Sequence, residues 1–347
     1  MSAATGKVNL LIGTPLEPEW VEQIRATDAR LNVIFRPDLL GRMRWRGDHH
    51  PSANRTPEQE AEFRALLGEA EVLFDFDADT SPHLTTLAPR LRWIQTSSAG
   101  VGQAAKRYGL DRTDVIITTT SGLHAVPLAE FVMMAVLMFT KRYFLQAELK
   151  QRREFARFSS DALPGKNLAL IGPGKIGREI ARLARACGMT VDALGRTAHT
   201  PAELGVDRVR TRAELRPMLA AADFIVLAMP HTAETEDMIG AAEIAVLKPT
   251  AVLINIARGE VIDEAALAAA LRDGRLAGAA LDVFRQEPLP ADSPFWTLPN
   301  VIINPHSAST ADAENGLIAD LFCENLRHYL AGHPERMRNI LDKQLLY

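Results

Sequence analysis

"LALIGPGKIG", Leu168 to Gly177, decides the fold. A short apolar run ends on glycine, and Gly172-Pro173-Gly174-Lys175-Ile176-Gly177 then opens a segment of helical periodicity. That is GxGxxG at a strand-to-helix turn. Gly172 permits the tight turn, Gly174 lets a pyrophosphate approach the backbone, and Gly177 lets helix and strand pack closely. The first helical turn presents free N–H groups and the positive end of the dipole to an anion. Ile176, Ile180, Leu183, Ala184 and Cys187 share one face, and Gly188 ends the helix. A glycine-rich turn that binds nothing is the alternative, and the clear strand before it and helix after it weigh against this. The six residues from Gly172 to Gly177 are therefore candidate contacts to a dinucleotide.

The following strand carries the next piece of evidence, "VDALGRTAHT", Val191 to Thr200. A chain selective for NAD places a carboxylate about 20 residues past the glycines, where it accepts the ribose hydroxyls. Gly195 stands at that tip instead, followed by Arg196 and Thr197. A glycine leaves room for a 2′-phosphate, and arginine and threonine bind one by charge and hydrogen bond. NADP is the expected cofactor, with NAD still possible. Asp192 is the competing acid, three residues earlier and inside the strand. Arg196 as a solvated surface charge is the bland alternative, and His199 and Thr200 are further candidate contacts.

Outward from this unit, short apolar strands alternate with helical patterns, as expected of parallel sheets covered by helices. LALIG, TVDAL, FIVLAM, AVLINIA, AGAALDV and NVIIN form a six-strand series. Before it come VNLLIG, LNVIF, VLFDF, LRWIQT and VIITTT, a smaller doubly wound sheet. The apolar LAEFVMMAVLMFTKRY joins the two, and the amphipathic ENGLIADLFCENLRHYLAG is expected to return the chain to the first domain. The segment from Gly41 to Pro57 is polar and turn-rich and reads as an exposed loop.

The bulk numbers agree. The chain of 347 residues suits two domains, and 47% apolar with 24% charged residues is ordinary globular composition. A net charge of −4, with Lys and Arg scattered, excludes the basic stripe of a nucleic-acid binder. The two cysteines, Cys187 and Cys323, have no metal-ligand or redox spacing, and a reducing cytoplasm fits them. The opening MSAATGKVNLLIG reads as a first strand rather than a signal peptide. The longest apolar stretch, Phe131 to Phe139, falls short of the roughly 20 residues of a membrane helix.

Three segments at the ends of later strands carry unusual polar residues: INIARGEVID with Arg258, LDVFRQEPLP with Asp282 and Glu287, and VIINPHSAST with His306. Strand C-termini line the ligand crevice of a doubly wound sheet. Histidine titrates near neutrality, a carboxylate bonded to it orients the ring, and arginine offers a planar fork.

With SGLHAVPLAEF, GKNLALIGPGKIGREIA, AMPHTAET, INIARGEVIDEAAL, ALDVFRQEPLP and SPFWTLPNVIINPH in this order, the sequence resembles the D-isomer-specific 2-hydroxyacid dehydrogenases, which include glyoxylate and hydroxypyruvate reductases. The resemblance spans most of the chain. It implies an α/β fold of two doubly wound parallel-sheet domains, a Rossmann cofactor domain at residues 119–306 inserted into a smaller flavodoxin-like substrate domain at 1–118 and 307–347. It implies that Arg258 holds the substrate carboxylate and carbonyl, that His306 is the acid/base with Glu287 as its partner, and that Asp282 holds the nicotinamide carboxamide. Pro230 and Ile256 join the expected cofactor contacts, and in QTSSAGVG the backbone N–H groups of Ala99 and Gly100 are expected to bind the substrate carboxylate. The implied activity is hydride transfer between NADP(H) and a small 2-oxo acid or R-2-hydroxy acid, by a cytoplasmic homodimer with no membrane or nucleic-acid partner.

The chain also departs from the family. Gly102 stands where members often carry an acid after the substrate loop, and Thr310 comes one place early after the catalytic-type histidine. Asp77 is open between facing the substrate and facing water, and Trp45 and Arg46 between capping the site or a neighbouring subunit and lying in an exposed loop. Rival assignments are a nucleotide-sensing corepressor of the same fold, a dehydrogenase for a bulkier 2-oxo acid, and a formate-type enzyme, which Glu287 opposes because those carry glutamine. The pair His49 and His50 has only Asp48 nearby and does not make a metal site.

Overall fold

The computed structural model describes residues 6–49, 51–76, 81–196 and 199–346. Two compact units emerge, one of residues up to His124 together with those from Thr310 onward, the other Ala125–Ser309. The crossings fall a few residues beyond the expected 118 and 306.

The first unit is built on five parallel strands, β1 (Val8–Ile12), β2 (Leu31–Ile34), β3 (Val72–Phe74), β4 (Trp93–Gln95) and β5 (Ile116–Thr118), in the order β2-β1-β3-β4-β5. This is the flavodoxin-like order, which reverses between β1 and β3. All five expected strands are present. They read as unbroken apolar runs because helices cover both faces. On one face helix Pro57–Glu69 contributes Phe63 and Leu67 to a core with Leu11, Leu73 and Ile94. On the other the C-terminal helix Glu314–Leu330 packs Ile318, Phe322 and Leu326 against Leu10, Ile12 and Trp93. The Phe322 ring lies 4.9 Å from Phe74, edge-on, and 5.0 Å from Trp93. Each such pair adds about 0.5–1.5 kcal/mol beyond the area it buries. The last helix of the chain thus closes a sheet made by its beginning, as its amphipathic pattern implied.

The loop from Gly41 to Thr56 is not simply exposed. Asp48 and His49 are buried, and Asp48 takes two hydrogen bonds from the Arg44 guanidinium at 2.7 and 2.9 Å. Arg55 stacks on the Phe63 ring at 3.7 Å and donates to the Leu39 carbonyl at 2.6 Å. Turn-rich composition indicates a loop but says nothing of whether its charges find partners. His50, Asp77 and Thr197 lie outside the described residues.

The second unit holds seven parallel strands, β6 (Asn167–Ile171), β7 (Thr190–Leu194), β8 (Arg208–Arg210), β9 (Phe224–Leu227), β10 (Val252–Asn255), β11 (Gly278–Leu281) and β12 (Val301–Ile303). Their order is β12-β11-β10-β9-β6-β7-β8, with the reversal at β6/β9. Six were expected, and the seventh is the edge strand β8. Its sequence, Arg-Val-Arg, carries no apolar run, and it is held by pairing with β7 and by ion pairs to Asp192. The joining helix Ala125–Thr140 belongs to this unit and packs Leu128, Val132 and Val136 in one core with Ile180 and Ala184 of helix Lys175–Ala186. That helix buries Gly177, Ile180, Ala181 and Ala184, whereas Cys187, expected on the same face, is exposed. The helix ends at Cys187, and Gly188 turns the chain away in the left-handed region at φ 79°.

Candidate active site

The dinucleotide cradle forms where β6 meets helix Lys175–Ala186. Gly172 sits at φ 97°, and a Cβ there would lie 2.6 Å from the Met229 nitrogen. A Cβ on Gly177 would lie 2.4 Å from the Gly172 carbonyl oxygen, so both positions admit only glycine. Gly174 is different, with no atom within 4 Å of the place a Cβ would occupy. Its glycine is not demanded by the protein's own packing, and the open space lies at the N-terminus of a twelve-residue helix. A phosphate fits there, on free N–H groups at the positive end of the dipole. Exposed Pro230 follows β9 and buried Ile256 follows β10, both at the C-terminal edge of the sheet where a dinucleotide lies.

At the β7 tip, a Cβ on Gly195 would lie 3.1 Å from the Pro173 side chain, so the glycine also keeps the cradle loop close. Arg196 is exposed at the bend that follows. The rival acid is occupied elsewhere. Asp192 Oδ2 accepts from Arg210 Nη2 at 2.8 Å and Nε at 3.0 Å, tying β7 to β8.

Arg258, Asp282, Glu287 and His306 come together at the C-terminal ends of β10, β11 and β12. His306 Nδ1 is 2.8 Å from Glu287 Oε2, and Glu287 Oε1 accepts the Phe284 N–H at 2.9 Å. Burial resists the charge on Glu287, but the hydrogen bonds from His306 and Phe284 and the nearby charge of Arg258 outweigh it and hold the carboxyl below its ordinary range. His306 itself sits in the left-handed region at φ 52°, a conformation that His, Asn and Asp tolerate better than other side chains. The turn is fixed by Asp282. Its backbone carbonyl accepts the His306 N–H at 2.8 Å, and its Oδ1 accepts Asn304 Nδ2 at 2.5 Å, the Ser307 N–H at 2.9 Å and the Ala308 N–H at 3.0 Å. Burial pushes the Asp282 carboxyl up despite these bonds. One oxygen of Asp282 is thereby committed to the histidine turn.

In the first unit, Ala99 and Gly100 follow β4, and the Gly100 N–H rests on Ser98 Oγ at 3.3 Å. The departure at Gly102 has a structural cause. A Cβ on Gly102 would lie 1.8 Å from the Leu346 carbonyl oxygen, so the C-terminal backbone fills the space an acidic side chain would take.

Sequence reasoning missed Asn255 and Asn304. Asn255 is buried, donates to the Arg258 carbonyl at 2.9 Å and accepts the Ala257 N–H at 3.0 Å, so it shapes the loop that carries the arginine. A polar residue ending an apolar strand was the available signal. His49 faces Glu314 at 3.6 Å, and among the described residues no group of His, Cys, Asp and Glu is arranged to hold a metal ion. No helix among them is long and apolar enough to cross a membrane.

Comparison with known proteins agrees with this geometry. Residues 133–308 match the model of the D-isomer specific 2-hydroxyacid dehydrogenase NAD-binding domain. A glyoxylate/hydroxypyruvate reductase B of Yersinia pestis is 35% identical over 303 residues, 84% of this chain and 90% of its own length. A D-isomer specific 2-hydroxyacid dehydrogenase family protein from Aeromonas salmonicida superposes with a TM-score of 0.79 at 30% identity, covering 97% of this chain and 100% of that one. Another, from Xanthobacter autotrophicus Py2, was solved in complex with NADPH and MES and superposes at 0.78 with 28% identity, covering 99% and 100%. With its dinucleotide cradle, its Arg, Glu and His at the strand ends and this likeness over most of its length, the chain belongs to the D-isomer specific 2-hydroxyacid dehydrogenase family, and it is an oxidoreductase.

Proposed function

We propose that this chain reduces a small 2-oxo acid to the R-2-hydroxy acid, with NADPH as the preferred cofactor and glyoxylate and hydroxypyruvate as the first substrates to test. The observation that carries this is the 2.8 Å pair of His306 Nδ1 and Glu287 Oε2, with Arg258 close enough for its charge to act on the same carboxylate. The residues from Gly172 to Gly177 would hold the pyrophosphate of the dinucleotide, whose nicotinamide would supply the hydride for the reduction. Arg258 holds the substrate carboxylate and carbonyl oxygen with its planar fork. With Nδ1–H donating to Glu287, His306 Nε2–H faces the reacting oxygen and gives it a proton as negative charge develops there. Glu287, held in its charged form, keeps the ring in that orientation and stabilises the imidazolium. Asp282 Oδ2 is assigned to the carboxamide, its other oxygen being used by the histidine turn.

Preference for NADPH rests on the absence of an acid at Gly195, on Arg196 and Thr197 beside it, and on Asp192 being committed to Arg210. Initial rates with NADPH and with NADH, against glyoxylate, hydroxypyruvate and phenylpyruvate, test both parts. Faster turnover at low NADPH is expected, and Arg196→Ala should weaken NADPH by roughly 10–100-fold while changing NADH less than about twofold. Preference for NADH would remove the phosphate assignment, and no turnover with either cofactor would remove the substrate assignment. We further assign the protein to the cytoplasm as a homodimer. Free Cys187 and Cys323 support the first, and exposed Val126, Met134 and Leu137 on helix Ala125–Thr140 support the second.

A further inference from the structure

Two loops of the second unit carry the proposed chemistry, and one side chain joins them. Arg258 leads into a loop that begins Gly259-Glu260-Val261-Ile262, and Glu287 lies on the loop that follows Asp282. The two are packed backbone to backbone. A Cβ on Gly259 would lie 2.0 Å from the Phe284 carbonyl carbon and 2.1 Å from the Arg285 nitrogen, so the Phe284–Arg285 peptide rests directly on the glycine after the arginine.

Arg285 then reaches back across that contact. Its Nε donates to the Ile262 carbonyl at 3.0 Å, and its Nη2 donates to the Glu260 carbonyl at 3.1 Å and to the Asp237 carboxylate. Its own N–H donates to Glu264 Oε1 at 2.7 Å, a carboxyl that burial pushes up. The neighbouring Phe284 N–H holds Glu287 Oε1, and Glu287 holds His306. A continuous chain of contacts therefore runs from the Arg258 loop through Arg285 and the Phe284 peptide to the acid/base pair. Asp237 is half-exposed, so the ion pair itself is screened by water and chiefly orients the guanidinium. The bonds from a charged donor to two carbonyls of the neighbouring loop are what fix the register. Lysine cannot reproduce them, because it lacks the planar fork.

We propose that Arg285 is a positioning residue for the reduction, holding the Arg258 loop and the Glu287 loop at one fixed spacing so that cation and acid/base pair address the same substrate. This rests on the roles assigned above to Arg258, Glu287 and His306. A small displacement of such groups costs rate out of proportion to its size, up to about 100-fold for roughly 1 Å.

Arg285→Gln and Arg285→Lys, with the exposed Arg275→Gln as control, are compared with the unaltered protein by three measurements. These are NADPH binding by fluorescence, kcat and KM with the fastest 2-oxo acid, and binding of oxamate, an unreactive mimic, to the NADPH complex. Arg285→Gln is expected to keep NADPH affinity within about twofold, to lose at least about tenfold in kcat/KM with KM raised, and to bind oxamate correspondingly more weakly. Arg285→Lys should recover only part of this, and Arg275→Gln should lose nothing. Unchanged kinetics and oxamate affinity in Arg285→Gln would overturn the proposal. So would a loss shared equally by NADPH binding with a lowered Tm, which would make Arg285 a residue of general stability. An unaltered protein that neither reduces a 2-oxo acid nor binds oxamate would instead overturn the functional assignment, and the positioning role with it.

Discussion

His306 shows how much a single position carries. Its imidazole is bonded to Glu287, its N–H to the Asp282 carbonyl, and its backbone occupies the left-handed region. Non-glycine residues held in that region cluster at functional sites, where the surroundings over-determine them. The backbone also dictates the informative substitution. His306→Asn removes the proposed acid/base group yet keeps a side chain that tolerates a positive φ, so the fold should survive. Turnover is expected to fall by roughly 10²–10⁴-fold, the usual contribution of a positioned general acid, while NADPH binding changes by less than about twofold. Stopped-flow reduction together with NADPH titration checks this, and loss of cofactor binding instead would place His306 outside the assigned role.

At the scale of elements, the C-terminal helix Glu314–Leu330 does more than cover a sheet. Its first residue, buried Glu314, is 2.8 Å from His124 Nε2 and 3.6 Å from His49 Nε2. Burial opposes the charge on Glu314, but the two histidines outweigh it and hold its carboxyl at about 2. His49 is shifted the other way. Burial alone would lower it, and Glu314 with the fields of Asp75 and Glu17 raises it above its ordinary value. The signs set a window. A carboxyl lowered from 4.5 to about 2 contributes stability that is present above pH 4.5 and is lost as pH falls toward 2, on the order of 3 kcal/mol in full. A raised histidine contributes stability that is present below pH 6.5 and is lost as pH rises through its folded value. Together these two groups should therefore contribute most to the stability of the first unit between about pH 4.5 and 6.5. Glu314→Gln should lower Tm in that window and flatten both limbs. Calorimetry across pH reads this directly, and a pH profile unchanged by the substitution would show that the two histidines are not held by Glu314.

For the whole molecule, the apolar surface is uneven. Val126, Met134 and Leu137 remain exposed on helix Ala125–Thr140, and Tyr143, Phe155 and Phe158 follow on the helix and extended segment after it. Large apolar side chains gathered in one stretch of a protein surface mark an interaction surface more often than scattered single ones do. The proposed homodimer uses them. Sedimentation equilibrium is expected to give twice the mass of the chain, and Leu137→Ser with Phe155→Ser to shift the protein toward monomer while leaving the NADPH cradle intact. A monomer at micromolar concentration in the unaltered protein would remove the dimer.

The parallel α/β class, the glycine turn from Gly172 to Gly177 and the meeting of Arg258, Glu287 and His306 at the strand ends were all legible in the amino-acid order. Each depends on local backbone freedom, on strand and helix periodicity, or on residue chemistry at a strand end, and those are properties of short stretches. The edge strand β8, the burial of Asp48 and His49, the filling of the Gly102 space by Leu346 and the bridging by Arg285 were not legible there. Each is a contact between residues far apart in the chain, settled by which surfaces meet when the sheets close. Arg-Val-Arg becomes a strand because it pairs with β7, where Asp192 holds both of its arginines, and a glycine is required at 259 because another peptide lies on it.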